Sequence, residues 1–194
     1  MHSNTIASVT KPQPKGPVVN GVPTGQLMDV IGSIQQDADN AKFQFRLDNR
    51  WLEGSINRSR MDDYFADGRE TRHGQVFELD ADEPRLIAGA DTAPTPVEYV
   101  LHALVSCLTT TMVYHASVQG VEIESVKSQV EGDIDVRGFF GLSENVRKGF
   151  NQVRVRMQVK SEASAEQLRE MAMYSAVYDM VANSLPVDFV IEKG

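Results

Sequence analysis

The sequence has a single cysteine, Cys107, among its 194 residues. No disulfide can therefore form within the chain, which is typical of proteins from reducing compartments. A chain of this length can bury a sizeable core without disulfides or a structural metal. The composition, 41% apolar and 24% charged, indicates a soluble globular protein. From the single cysteine we expect a cytoplasmic location.

Targeting and membrane-spanning segments are also lacking. The first fifteen residues contain Pro12 and Pro14 and no apolar run, so they do not resemble a secretory signal. The longest mostly apolar stretch, residues 97–113, is interrupted by polar residues such as Glu98 and falls short of the roughly 20 apolar residues of a membrane span. We therefore expect no membrane partner.

Clustered basic charge is absent as well. The formal net charge is −8, whereas nucleic-acid binding requires concentrated lysine and arginine. Six arginines lie between Arg46 and Arg72, but acidic residues are interleaved with them, which indicates a solvated strand face of mixed charge. We expect no nucleic-acid partner.

Signatures of metal and cofactor sites are missing too. The four histidines do not have the paired spacing of zinc ligands. The one glycine-rich stretch, residues 138–141, lacks the lysine and the following helix of a phosphate-binding loop. We expect neither a metal nor a cofactor.

The pattern of residues divides the chain into two regions. Residues 1–23 contain four prolines and little apolar periodicity, which predicts a flexible N-terminal tail. Residues 24–194 are predicted to form a single domain that begins with a short helix capped by Thr24. Alternating apolar residues then predict about three antiparallel strands before residue 87, with turns at Asp48-Asn49 and Asp67-Gly68.

The strongest local signal is the start of a long helix. Thr95 and Glu98 are spaced as a capping box with Pro96 at the first helical position, and Gly120 supplies a stop. The helix predicted from Pro96 to Gln119 is apolar on nearly all sides, so we expect burial on nearly all sides. Because one small subunit cannot easily cover such a helix, we predict a homodimer.

The remainder of the chain predicts strands and a broken helix. Residues 123–136 and 152–159 have strand character, and residues 187–192 predict a closing strand. Between them, Ser164 begins a second capping box, and Ser175 predicts a restart of the helix because serine is a favoured N-cap. This order predicts an α+β fold in which antiparallel sheets pack on a long central helix.

Cys107, on the long helix, has two interpretations: a small buried hydrophobe or a reactive thiolate. Apolar surroundings raise the pKa of a thiol, so reactivity would require an arginine or histidine from another element. On the helix itself, Glu98 is nine residues away and faces nearly the opposite side. Neither His102 nor His115 is spaced to lie directly beside the sulfur.

Two stretches resemble signatures of the OsmC/Ohr superfamily of osmotically inducible and organic hydroperoxide resistance proteins. Residues 82–84 and 94–107 are similar to the motif that opens the family's long, cysteine-bearing helix, and residues 174–179 are similar to its second motif. The resemblance implies an OsmC-like fold and an intertwined homodimer with active sites at the subunit interface. It also implies thiol-dependent reduction of organic hydroperoxides.

The resemblance implies catalytic roles for individual residues. Cys107 matches the family's first cysteine, which reacts with the peroxide. An arginine of the early strands would lower the pKa of that thiol, and Glu98 would orient the arginine. Arg58 and Arg60 are the nearest candidates, and both stay open.

The chain also departs from the family pattern. Ser175 stands at the position of the second cysteine, and Ala176 replaces the proline that follows it. Val97 occupies the place where peroxidase branches have their glutamate. These departures indicate a less characterised branch in which no intrasubunit disulfide can form.

Two functions follow as hypotheses. In the first, the chain is a thiol-dependent peroxidase, or a related thiol protein reacting with electrophiles, whose oxidised Cys107 is restored by an external thiol reductant. In the second, it is a non-catalytic module that binds a small hydrophobic ligand, and Cys107 is a packing residue.

Overall fold

The computed structural model describes residues 16–183 and 185–193, and its first element is a small hairpin. Strand β1 (Val18–Val19) pairs antiparallel with β2 (Val22–Pro23). The turn between them contains Asn20 and Gly21, both at positive φ, which is the dipeptide that two-residue hairpin turns favour. The predicted flexible tail is therefore wrong for its last residues, while residues 1–15 lie outside the described part of the chain.

The hairpin is fastened to the body of the protein by the Asn20 side chain. Its Nδ2 donates to Ser117 Oγ at 3.1 Å and to the carbonyl of Val121 at 2.9 Å. Its Oδ1 accepts from the backbone N–H of Ile123 at 2.8 Å. These bonds between distant parts of the sequence offset the ordering cost of the hairpin.

Helix α1 (Thr24–Gln36) follows at once and is short, as predicted. Thr24 is the first helical residue and not the cap, because its hydroxyl donates instead to the carbonyl of Pro17 at 2.9 Å. Pro23 occupies the N-cap position without a side-chain cap.

A four-stranded antiparallel sheet forms next, with one strand more than the sequence predicted. Strand β5 (Ile56–Ala66) pairs with β3 (Gln44–Phe45), β4 (Asp48–Glu53) and β6 (Arg69–Ala81). The predicted turn at Asp67-Gly68 is confirmed, since both residues have positive φ and join β5 to β6. The predicted turn at Asp48-Asn49 is wrong, because these residues begin β4 opposite Arg60 and Ser59.

The two faces of this sheet differ in character. Register places Trp51, Phe77 and Leu79 on one face, and their side chains are 72%, 43% and 46% exposed. The opposite face carries Arg58 and Asp80 with other charged residues. The first face also carries Asn49, Asn57 and Ser59, and its exposed Trp51, Phe77 and Leu79 side chains indicate a surface suited to cover by another molecule.

One buried carboxylate organises the loop that leads to the long helix. Asp82 accepts hydrogen bonds from Ser55 Oγ at 2.5 Å and from the backbone N–H of Glu83 at 2.7 Å. It also accepts from the backbone N–H and the hydroxyl of Thr92, both at 2.9 Å. These hydrogen bonds hold the pKa of the Asp82 carboxyl well below its usual range, and the bond from Ser55 has the largest effect. They do so although burial by itself raises that pKa.

Helix α2 (Pro96–Val118) confirms the predicted long helix and its capping box. The backbone N–H of Glu98 donates to Thr95 Oγ1 at 3.2 Å, and that of Thr95 donates to Glu98 Oε2 at 2.8 Å. Within the chain only one face of α2 is fully buried, whereas Val100 and Tyr114 are 41% and 46% exposed. One chain therefore leaves part of α2 uncovered, and burial on nearly all sides stays a prediction for the homodimer.

A second, two-stranded sheet follows α2. Strand β7 (Ile123–Asp133) pairs antiparallel with β8 (Gln152–Ser161). Their connection contains one helical turn, α3 (Val136–Phe139), which is capped by Asp135. No strand forms over residues 187–192 in the described part of the chain, so the predicted closing strand is wrong.

Two short helices complete the fold and confirm the predicted break. Helix α4 (Ala165–Ala172) has the capping box of Ser164 and Gln167, and helix α5 (Ala176–Ala182) begins after Ser175 as N-cap. The helices α4 and α5 and strand β7 pack against α2. The buried apolar core lies among these elements and consists of Leu104, Leu108, Met112, Ala116, Leu168, Met171 and Ala172. The predicted α+β class is confirmed.

By length and composition alone, α2 could also cross a membrane. Helices in the core of a globular protein can have the same length and the same apolar composition. Here the apolar stripe of Leu104, Leu108 and Met112, spaced four residues apart, packs against the neighbouring elements of the core. That packing accounts for the apolar character of this side of the helix.

Candidate active site

Cys107 lies in the middle of α2, next to the buried stripe and partly exposed. Its flanking core residues, Leu104 and Leu108, are one turn or less away and fix this part of the helix. Thr111, one turn further along the same side, places its Oγ1 3.8 Å from the Cys107 sulfur. The thiol therefore sits at the edge of the core beside a hydroxyl group.

The start of α5 forms the other wall around the sulfur. Ser175 is buried, and its Oγ accepts from the backbone N–H of Tyr178 at 3.1 Å as the N-cap of α5. The Ser175 side chain and the backbone of Ala176 and Val177 lie close enough to the Cys107 sulfur to act on its pKa. The prediction that Ser175 caps the restarted helix is confirmed.

These neighbours change the acidity of the thiol. Burial raises the pKa of Cys107, but the hydrogen bonds from Ser175, the backbone of Val177, Thr111 and the backbone of Ala176 together lower it further than burial raises it. The net pKa lies below the ordinary value of a cysteine thiol. Donors to sulfur stabilise the thiolate, which is the nucleophilic form.

The histidines of α2 have partners elsewhere. His115 stacks on Tyr174, with ring centroids 4.4 Å apart and an angle of 14° between the ring planes. His102 Nε2 lies 3.5 Å from Ser106 Oγ. Within residues 16–183 and 185–193, neither imidazole is among the groups that hydrogen-bond to Cys107.

The other residues predicted for the site lie apart from the thiol in the single chain. The carboxylate of Glu98 is engaged in the capping box at the start of α2. Arg58 forms a two-pronged contact with Asp80 on the first sheet, and Arg60 pairs with Asp62 at 3.1 Å. Of the described residues of this chain, no arginine or glutamate hydrogen-bonds to the Cys107 sulfur.

The sequence analysis identified Cys107 and Ser175 but missed the other groups that lower the pKa of the Cys107 thiol. Thr111 was visible as the residue one helical turn after Cys107, a spacing that brings side chains together. The N–H groups of Ala176 and Val177 carry no side-chain signal. They face Cys107 only because α5 packs against α2.

An apolar groove of about 1080 Å³ runs beside α2, between β8 and the pair α4–α5. Its lining includes the core residues Leu104 and Met112 and the partly buried Met157, together with Arg147 and Arg169. Among the described residues, no group of three or more histidine, cysteine, aspartate or glutamate side chains is arranged to hold a metal ion.

Comparison with known proteins places these features in a family. The family model of OsmC-like proteins matches residues 89–192, which is more than half of the chain. The chain therefore belongs to the OsmC-like family. The matched segment contains α2 with Cys107, the second sheet and both C-terminal helices.

Two solved structures, with TM-scores of 0.52 and 0.50, share the fold at low sequence identity. An OsmC-like protein from Mycoplasma pneumoniae is 14% identical, with a TM-score of 0.52 over 73% of this chain and 89% of that one. An osmotic stress induced and detoxification response protein from Psychrobacter arcticus 273-4 is 13% identical, with a TM-score of 0.50 over 68% and 83% of the two chains. An organic hydroperoxide resistance protein OsmC from Legionella pneumophila is 18% identical, with a TM-score of 0.46 over 71% and 89%. Among curated proteins, no significant sequence match is found.

Proposed function

We propose that this protein is a thiol-dependent reductase of organic hydroperoxides, with Cys107 as the peroxide-reactive group. The observation that carries the proposal is the polar setting of the sulfur at the edge of the core: Thr111 Oγ1 lies 3.8 Å from it, and the start of α5 packs beside it. These neighbours lower the pKa of Cys107 against the effect of burial. A packing cysteine has no need of donors from two hydroxyls and two backbone amides. Membership of the OsmC-like family and the detoxification role named for the Psychrobacter structure agree with this chemistry.

The reaction would proceed by nucleophilic attack. The Cys107 thiolate attacks the outer oxygen of the hydroperoxide, a sulfur–oxygen bond forms, and the oxygen–oxygen bond breaks. The alkoxide that leaves takes up a proton and becomes an alcohol. The peroxide is thereby reduced, and the thiolate is oxidised to sulfenic acid.

Turnover then requires a reductant from outside the chain. Because Cys107 is the only cysteine, the sulfenic acid cannot close an internal disulfide. An external thiol condenses with it, releasing water and forming a mixed disulfide. A second equivalent of thiol, or the second group of a dithiol, restores the Cys107 thiol.

The proposal includes a homodimer in which a second copy completes the site. The exposed apolar face of the first sheet and the exposed side of α2, with Tyr114 46% exposed, support a second copy as the cover. Arg58 and its neighbour Arg60 project from the opposite, charged face of the first sheet, so a role of either arginine in stabilising the thiolate is proposed from the family resemblance alone. Glu98 would contribute by capping α2. A cytoplasmic location stays a prediction.

The proposal is tested by treating the protein with one equivalent of cumene hydroperoxide and trapping sulfenic acid with a dimedone reagent. We expect one adduct per chain on Cys107 by mass spectrometry, and one equivalent of alcohol formed. The Cys107→Ser variant serves as control and should form neither product. An unmodified Cys107 in the folded wild-type protein would refute the proposal.

The apolar groove supports a second candidate function, the binding of a small hydrophobic ligand. The groove is lined mainly by aliphatic side chains, with Arg147 and Arg169 available for an acidic head group, which suits a fatty acid. Titration with a fluorescent fatty acid tests this function. Saturable binding that is lost in Arg147→Ala but retained in Cys107→Ser would favour ligand binding that is independent of the thiol.

A further inference from the structure

Methionine side chains line the apolar groove from four parts of the fold. Met112 lies on α2, Met157 on β8 and Met180 on α5. Met173 is the C-cap residue of α4. Half of the eight methionines of the chain therefore lie along this one groove. Because methionine is unbranched and flexible, such a lining adapts to apolar molecules of different shape.

The four thioethers differ in their access to solvent. Met112 is fully buried, with 1% of its surface exposed, and Met157 is partly buried against the core. Met173 and Met180 are 39% and 53% exposed. These two side chains can therefore meet a molecule that enters the groove without any opening of the core.

A thioether reacts with a hydroperoxide without help from a thiol or a metal. The sulfur is a soft nucleophile that attacks the outer oxygen of the hydroperoxide, a sulfur–oxygen bond forms, and the oxygen–oxygen bond breaks. The proton of the hydroperoxide passes to the departing alkoxide, which becomes an alcohol. The hydroperoxide is thereby reduced, and the methionine is oxidised to its sulfoxide.

We propose that the groove is a site at which apolar organic hydroperoxides oxidise methionine, with Met173 and Met180 as the residues modified. The inference rests on the second candidate function, because it requires an apolar molecule to occupy the groove, and it does not require Cys107. A sulfoxide is polar, and a polar group in an apolar site is unfavourable unless it is hydrogen-bonded. The groove therefore holds an apolar ligand in its reduced state and releases it after exposure to a hydroperoxide.

Met28 provides a matched control for this modification. It lies on α1, outside the lining of the groove, and it is 50% exposed against 53% for Met180. General accessibility therefore predicts equal oxidation of the two residues by any oxidant. Only a hydroperoxide that is concentrated in the groove distinguishes between them.

The test uses the Cys107→Ser variant, in which no thiol consumes the oxidant, with Cys107→Ala as an alternative background should it fold poorly. The protein is treated in parallel with cumene hydroperoxide, which is apolar, and with hydrogen peroxide, which is not. Peptide mass spectrometry measures the sulfoxide at each methionine. The ratio of Met180 to Met28 oxidation should be at least about ten-fold higher with cumene hydroperoxide, because binding holds the oxidant beside the thioether. An excess of fatty acid should protect Met180 and leave Met28 unprotected.

A binding measurement follows the consequence of oxidation. After treatment with cumene hydroperoxide, the Cys107→Ser protein should bind a fluorescent fatty acid about ten-fold more weakly. Adding Met173→Leu and Met180→Leu together keeps the apolar bulk but removes both exposed thioethers, so this variant should keep its affinity after the same treatment. Adding Met28→Leu instead should give the same loss as the parent protein.

The outcomes separate this inference from the second candidate function. Equal oxidation of Met28 and Met180 by cumene hydroperoxide, with fatty-acid binding intact, overturns this inference alone. An equal loss of affinity with and without the two leucine substitutions overturns the role of Met173 and Met180 in ligand release. A protein that shows neither fatty-acid binding nor selective oxidation rejects the second candidate function and this inference together.

Discussion

The hydroxyl of Ser175 contacts two groups that belong to different parts of the fold. It accepts the backbone N–H of Tyr178 at 3.1 Å, which caps α5, and it lies beside the sulfur of Cys107 on α2, where it lowers the pKa of the thiol. A hydroxyl can do both because it has one donor and two acceptor sites. The position that holds a second cysteine in peroxidase members of the family thus has both a structural and an electrostatic role here.

The first prediction concerns Ser175→Cys. Because the wild-type side chain contacts the Cys107 sulfur, the variant should form a disulfide with Cys107 after one equivalent of peroxide, seen as a loss of two hydrogens by mass spectrometry. Loss of the cap should cost about 1 kcal/mol of unfolding free energy. With a dithiol reductant, peroxide consumption should be faster than in the wild type. Absence of the disulfide in a folded variant would mean that the two side chains cannot reach bonding geometry.

The second prediction concerns Thr111→Val, which keeps the shape of the side chain and removes the hydroxyl 3.8 Å from the sulfur. The pKa of Cys107 should rise because one donor to the thiolate is lost, and alkylation near neutral pH should slow by less than about ten-fold. Thr110→Val, on the neighbouring position of α2, is the control and should leave the rate unchanged. An equal effect of both substitutions would indicate a general change in the helix.

The third prediction concerns the buried carboxylate of Asp82. Its pKa is lowered in the folded protein, so its contribution to stability is present above the unfolded pKa of about 4 and is lost as pH falls below that value. Asp82→Asn should lower the thermal midpoint by several degrees at pH 7, and the difference from wild type should shrink on acidification towards pH 3. Thermal melts monitored by circular dichroism measure both values. A difference that is independent of pH would contradict the assignment of this stability to the charged carboxylate.

The fourth prediction concerns association. The wild-type protein should sediment as a dimer at micromolar concentration, because the face of the first sheet that carries Phe77 and Leu79 is exposed in the single chain. Leu79→Asp should shift the protein to a monomer, since a charge in an apolar interface is costly to bury. Leu79→Val should remain a dimer. A monomeric wild-type protein would exclude a site completed by a second copy.

Local signals account for the parts of the fold that were predicted correctly. Each of these signals depends on residues within a few positions of one another. They are the capping boxes at Thr95 and Ser164, the N-cap at Ser175 and the turn at Asp67-Gly68. The hairpin at Asn20 was missed although its Asn-Gly pair was visible, because its stability also depends on Ser117, almost a hundred residues away. A strand over 187–192 requires a partner strand, which no local pattern can supply.

The candidate site also has parts that local motifs predict and parts that depend on contacts between distant residues. Cys107 and Ser175 were identified from motifs, and their contact follows from the helix break between α4 and α5. The amide donors of Ala176 and Val177 depend on how α5 packs on α2. The contact of Arg58 with Asp80 depends on cross-strand register, which the sequence alone did not define.

The measurement that tests the account most directly is the pKa of the Cys107 thiol in the folded wild-type protein. It is obtained from the pH dependence of iodoacetamide alkylation, with the denatured protein as reference. We predict a folded-state pKa below that of the denatured chain, because neighbouring polar groups stabilise the thiolate. These groups belong to Ser175, Val177, Thr111 and Ala176. A folded-state pKa equal to or above the denatured value, or a thiol that does not react, would contradict a peroxide-reactive Cys107.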